Sequence, residues 1–298
     1  MKKKILFTGG SGLLALNWAY LIRDNFNIVL GLHERVINIS GITSVRISLE
    51  YEADFLYNIQ EIKPDLIIHT AGMTNVDLCE AEPNIASKIN FEAVKHVSNV
   101  CSNKNIDLIF ISTDHLFNGE ISFVEENHLK SPINWYGRTK SLGEDYIIAN
   151  NPNSLIIRTN FFGWGTSYRK SFSDFIIENL RVGKSITLFD DIFYTPIFID
   201  CLVDLVMKLY SRKAFGIFNV VSNERISKFE FGIMVAVIFG LDTSLIVKGN
   251  IEDKFELVQR PKDLSLSNRK IIHFLESTIP SIHDQVLRLK EEKGRFNF

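Results

Sequence analysis

The chain has 298 residues, 46% of them hydrophobic and 23% charged, and a formal net charge of −2. That is ordinary globular composition, and the length allows one large domain or a core domain with a smaller lobe. No long run of either charge is present, which excludes nucleic acid and anionic membrane as main partners.

The first half alternates short apolar runs with longer amphipathic stretches. Residues 5–8 read as a strand, 9–12 as a turn and 13–24 as a helix. Strands follow at 28–32, weakly at 45–47, and then at 66–69, 108–112 and 155–158. Helices are predicted over 52–62, 84–102 and 136–149. Strands alternating with helices of this length imply an α/β fold, a doubly wound parallel sheet covered on both faces. Apolar runs without alternation fit strands buried on both sides. After about residue 160 the rhythm loosens. Helices are predicted at 172–181, 199–210, 228–239 and 282–292, and strands at 186–189 and 216–221. The chain thus divides into a dinucleotide-binding domain over 1–160 and a smaller, mostly substrate-binding lobe over 161–298. Segments within about 186–222 are free to rejoin the sheet.

Met1 and three lysines before an apolar run imitate the start of a signal peptide. Gly9, Gly10 and Gly12 interrupt that run, and no small-residue cleavage pattern follows. No apolar stretch is long enough to span a bilayer. Cys79, Cys101 and Cys201 are far apart and odd in number, with neither metal spacing nor a disulfide framework. A soluble, reduced, cytoplasmic protein is expected, with no membrane partner and no metal site.

Between the first strand and the first helix stands Thr8-Gly-Gly-Ser-Gly-Leu-Leu-Ala15. Gly9, Gly12 and Ala15 give a G-x-x-G-x-x-A spacing. Glycine permits the tight turn and lets the backbone N–H groups of Ser11, Gly12, Leu13 and Leu14 approach a pyrophosphate at the helix N-terminus. The plain alternative is an ordinary glycine-rich turn, and the position inside the first βα unit favours the nucleotide. The second strand ends in His33-Glu34-Arg35. An acidic residue there accepts from a free ribose 2′-hydroxyl, whereas an arginine accommodates a 2′-phosphate. Arg35, helped by His33, favours NADP; Glu34 keeps NAD open.

Tyr136 and Lys140 lie four residues apart at the start of a predicted helix, hence on one face. A nearby ammonium favours phenolate, and a phenol tuned in that way moves protons at neutral pH.

The Gly9–Gly12 turn, Ser112-Thr113-Asp114 and Tyr136-x-x-x-Lys140 occur in the order and spacing of the extended short-chain dehydrogenase/reductases. Finer marks are His69-Thr-Ala-Gly-Met-Thr-Asn-Val-Asp77, Glu80-x-Glu82-Pro83, Asn90, Gly143-Glu144, Arg158-Thr159, Thr195-Pro196 and Arg260-Pro261. With them the chain resembles the dTDP-4-dehydrorhamnose reductase group over nearly its whole length. The resemblance implies a Rossmann-type fold and hydride transfer from NADP(H) to the C4 ketone of a nucleoside-diphosphate 4-keto-6-deoxy sugar. Thr113, Tyr136 and Lys140 would then be catalytic. Tyr136 would protonate the alkoxide, Lys140 would lower the phenol pKa and hold the nicotinamide ribose, and Thr113 would orient the keto oxygen. Thr70, Ala71, Gly72, Thr159 and Asn160 would lie along the cofactor. Thr74, Thr113, Asp114, His115, Phe161 and Tyr194 would line the sugar site. Asn90, Asp77 and Arg158 read as structural, outside the chemistry. A homodimer is compatible with the family.

Two departures fall on the sugar side. Phe161-Phe162-Gly163-Trp164 stands where the group has a tryptophan directly after the strand end. Asp190-Asp-Ile-Phe-Tyr194-Thr195-Pro196 replaces its Gln-x-Gly-x-Pro-Thr loop. For Phe161, Phe162 and Trp164, core packing competes evenly with substrate contact. Alternatives to the reductase are another nucleotide-sugar epimerase or reductase, and a non-catalytic cofactor-binding subunit like the regulatory subunit of methionine adenosyltransferase.

Overall fold

The computed structural model describes residues 2–292. The chain begins with β1 (Lys4–Thr8), α1 (Leu13–Ile22), β2 (Asn27–Leu32), β3 (Thr43–Arg46), α2 (Glu52–Ile62) and β4 (Leu66–His69). Next come α3 (Val76–Ala81), α4 (Pro83–Ser87), a π-turn over Lys88–Glu92, α5 (Ala93–Lys104) and β5 (Asp107–Ile111). α6 (Trp135–Asn150) and β6 (Leu155–Arg158) complete the regular half. The second half holds β7 (Phe161–Phe162), α7 (Phe172–Arg181), β8 (Ile186–Phe189), β9 (Phe193–Tyr194), β10 (Ile197–Phe198) and α8 (Ile199–Ser211). It ends with β11 (Gly216–Asn219), β12 (Ile226–Ser227), α9 (Lys228–Phe239), β13 (Ile246–Gly249), α10 (Arg269–Leu275) and α11 (Ile282–Glu291).

Seven strands form one parallel sheet in the order β11-β6-β5-β4-β1-β2-β3. This is the doubly wound Rossmann-type arrangement that the strand–helix rhythm predicts. Side chains alternate across the pleat, so β1 feeds two cores. Ile5 and Phe7 pack with Trp18 of α1 and Leu202 of α8, while Leu6 packs with Phe55 of α2 and Val97 of α5. The order reverses between β1 and β4. The C-terminal ends of those strands form the crevice where open α/β sheets take ligands.

Gly216–Asn219 rejoins the sheet beside β6, whereas Ile186–Phe189 pairs with β13 outside it. The strand β13 and the helices α3 and α10 have no counterpart in the sequence reading. α3 and α10 run six and seven residues, too short for a helical period to show. The helix predicted over 84–102 is present but changes register at the π-turn. There Asn90 is fully buried, accepts from Met73 N at 2.8 Å and donates to Met73 O at 3.0 Å and to Thr139 Oγ1 at 3.2 Å. A local widening of a helix commonly serves such a placement.

Arg158 and Asp77, read as structural, each hold an ion pair. Arg158 meets Glu144 at 2.7 Å, fully buried, and so joins β6 to α6. Asp77 meets Arg260 at 2.6 Å. No helix among the described residues is long and apolar enough to cross a membrane. Cys79, Cys101 and Cys201 are free and buried.

Candidate active site

The turn after β1 is built for close approach. Gly9 has φ +69°, and a Cβ there would meet Ala71 N at 2.8 Å; one on Gly10 would meet Leu30 Cβ at 2.8 Å. Gly12 caps α1 without a side-chain hydrogen bond, leaving the first helical N–H groups to face outward. Leu13 and Leu14 are buried, so only their backbones can serve a ligand. Thr70 donates its hydroxyl to Thr8 O at 2.7 Å, and Gly72 leaves room for Asn90 Oδ1. At the end of β2, a cavity of about 410 Å³ is lined by His33, Glu34, Arg35, Asn38, Ser44 and Arg46.

Thr113 follows β5, and Tyr136 and Lys140 stand on the first two turns of α6. Asn134 caps that helix by accepting from Gly137 N at 2.9 Å. All three candidate catalytic residues are buried. Burial pushes the Tyr136 phenol above its ordinary pKa; the Thr113 hydroxyl beside it opposes this, and the Asp114 charge adds to it. Lys140 donates to Ile111 O at 2.6 Å and lies 4.2 Å from the Phe110 ring centroid. Its pKa is pulled down by burial to about 7, with Glu144 opposing. In this state burial holds the phenol protonated and draws down the pKa of the ammonium as well.

Asp114 ties the site together. Its two oxygens accept from Thr113 Oγ1 at 3.1 Å and from Asn160 Nδ2 at 2.6 Å. The His115 ring meets Tyr136 edge-on at 5.5 Å. Asn160, read as a nicotinamide neighbour, therefore has its amide committed to Asp114. Thr159 donates to Val220 O at 2.8 Å, leaving mainly its backbone for a ligand. His69 bonds Thr8 Oγ1 through Nδ1 at 2.8 Å, and burial lowers its pKa to about 3, so it stays neutral.

On the sugar side, Phe162 is core, stacked on Phe198 and edge-on to Phe231. Trp164 donates to Leu289 O at 2.8 Å and anchors α11. Phe161 is half-buried against the same core, and Tyr194 is buried beside Phe231. The loop after β7 crosses toward the sheet. Tyr168 donates to Ser11 O at 3.0 Å, Arg35 lies 3.8 Å over the Tyr168 ring, and Arg169 donates to Thr74 Oγ1 at 2.7 Å. Tyr168, Arg169, Arg46 and Lys228 are site residues that the sequence reading does not name. Only Lys228 carries a local signal, a cation opening a helix whose dipole disfavours it there. A second cavity, of about 1140 Å³, opens at the opposite ends of the strands near Lys3, Asp107 and Asp204, and none of the residues above lines it.

The sheet, the glycine turn and the Thr113, Tyr136 and Lys140 set define the class: an extended short-chain dehydrogenase/reductase, an NAD(P)-dependent oxidoreductase. Residues 2–293 match the family described as RmlD substrate binding domain, and the chain belongs to that family. It is 28% identical over 287 residues to the probable low-salt glycan biosynthesis reductase Agl14 of Haloferax volcanii, covering 95% of this chain and 96% of that one. The methionine adenosyltransferase 2 subunit beta of Xenopus laevis is 27% identical over 265 residues, 81% of this chain and 74% of the other. The crystal structure of a hypothetical dTDP-4-dehydrorhamnose reductase from Sulfolobus tokodaii is similar at a TM-score of 0.83 and 30% identity, covering 95% and 98%.

Proposed function

We propose that the protein is an NADP(H)-dependent reductase acting on the C4 ketone of a nucleoside-diphosphate 4-keto-6-deoxy sugar. The observation that carries this reading is the convergence of Thr113, Tyr136 and Lys140 at the strand ends next to the glycine turn. The turn fits a dinucleotide: with no Cβ at Gly9 or Gly10 it packs tightly on Ala71 and Leu30, which brings the N-terminus of α1 to the strand ends. Arg35, Arg46 and His33 around one cavity suit a 2′-phosphate and outnumber Glu34, the residue that suits a free ribose. The resemblance to reductases of nucleotide sugars supplies the substrate class.

When bound, the nicotinamide supplies the hydride. Thr113, whose single hydroxyl proton goes to Asp114 in this state, turns that proton to the sugar's keto oxygen when substrate enters. Tyr136, kept protonated by burial, gives its proton to the oxygen as negative charge develops there. Lys140 sits one turn further along α6, placed to hold the nicotinamide ribose. Asp114, fixed by Asn160, accepts the Thr113 proton until the carbonyl takes it.

Tyr136→Phe removes the proton donor and keeps the ring. We expect kcat to fall about 10²- to 10⁴-fold with nucleotide-sugar affinity retained. Steady-state NADPH oxidation with a dTDP-4-keto-6-deoxy sugar measures this. Equal turnover by the variant would remove Tyr136 from the mechanism.

The likeness to a methionine adenosyltransferase subunit favours a second reading, a cofactor-binding subunit without turnover. Tight NADPH binding with no oxidation by any 4-keto sugar would select it.

A further inference from the structure

Lys228 opens α9, and its ammonium contacts two aromatic rings. β12 pairs with β9, setting Ile226 opposite Tyr194, and Lys228 N donates to Ile192 O at 3.0 Å. The ammonium lies 3.5 Å from the Tyr194 ring centroid and 4.8 Å from that of Phe172. Among the described residues it has no hydrogen bond and no ion pair within 4.0 Å. It is half-buried, and burial draws its pKa down to about 8 while the Asp114 charge opposes that fall. A cation at a helix N-terminus, partly desolvated and unpaired, is unfavourable on three counts.

Its surroundings are polar and incompletely bonded. The Asp114 carboxylate is within electrostatic reach of Lys228, Tyr194 and His115. The Tyr194 hydroxyl and His115 Nδ1 are buried without a hydrogen-bond partner. An isolated ammonium would suit a phosphate. An ammonium that feels a carboxylate's charge without pairing to it suits a neutral hydroxyl, which accepts from one and donates to the other. Asp114 directly follows Thr113, so such a hydroxyl would lie beside the reacting carbonyl.

We propose that Lys228 binds the sugar of the nucleotide-sugar substrate, donating to a ring hydroxyl that in turn donates to Asp114. The inference rests on the nucleotide-sugar reading above and adds the residue that would distinguish the sugar from the nucleotide.

Calorimetry on the protein saturated with NADP⁺ tests it, with dTDP-glucose against dTDP and UDP-glucose against UDP as probes. For the pair that the wild type binds, Lys228→Met should weaken the nucleotide sugar at least ~10-fold, the loss of one charge-assisted hydrogen bond. The bare nucleotide should change less than about 2-fold. Lys228→Arg should restore most of the difference, and Lys228→Gln carries the comparison if the Met variant fails to fold. Equal weakening of sugar and bare nucleotide would move the ammonium to the diphosphate and overturn the proposal, as would no weakening of either. A wild type that binds neither pair would sink the nucleotide-sugar reading itself, and this inference with it.

Discussion

Tyr136 keeps its proton because burial denies the phenolate its hydration, and the nearby Asp114 charge reinforces that. The proposed reduction needs a proton donor, and this protonated state would supply it. Lys140 bears the opposite cost. Buried against Phe110 and the Ile111 carbonyl, its amine is lowered from 10.5 to about 7. Between those values the unfolded chain binds the extra proton and the folded one does not, so this group makes stability rise with pH. Its penalty is fully present below about pH 7 and gone above about 10.5. In the cofactor-free protein, the melting temperature of wild type relative to Lys140→Met should therefore climb between those limits and level off beyond them. Parallel melting curves across the range would show that Lys140 is not desolvated.

At the scale of elements, α6 matters most, because it carries Tyr136 and Lys140 and leans on the loop after β5. Gly137 makes that contact: a Cβ there would lie 2.2 Å from His115 O. Gly137→Ala should cost about 1–3 kcal/mol of stability through forced displacement of backbone. The displaced loop holds Thr113, so kcat should fall at least ~10-fold, the sensitivity expected of a reacting group misplaced by about 1 Å. Wild-type turnover and denaturation midpoint in this variant would mean that the loop and helix are not coupled. The same helix shows what a sequence reveals. Tyr136 and Lys140 are legible as a pair because one turn of helix sets their spacing, and Thr113 because a buried apolar strand announces its own end. Strands 66–69 and 155–158 were equally plain as unbroken apolar runs. The π-turn at Lys88–Glu92 was not, since its cause is Asn90 reaching Met73 and Thr139, partners far along the chain. The bond from Asn160 to Asp114 is silent for the same reason: it joins the ends of two strands, and no local pattern records it.

Across the whole molecule, the second half touches the first at the points where ligands are expected. Tyr168 reaches Ser11, Arg169 reaches Thr74 and Arg260 pairs with Asp77. These contacts rim the crevice left by the strand-order reversal between β1 and β4, and Lys228 approaches the reacting end from α9. Arg169 meets the site only through this assembly, which is why composition and spacing leave it silent. The arrangement makes one claim above the others: a hydride crosses the crevice to a sugar carbon. NADPH deuterated at the transferable position of its nicotinamide, incubated with dTDP-4-keto-6-deoxy-L-mannose, tests that claim most directly. The account predicts cofactor oxidation with the deuterium found at C4 of the product sugar. Deuterium left on the nicotinamide, or oxidation without label at C4, would contradict it.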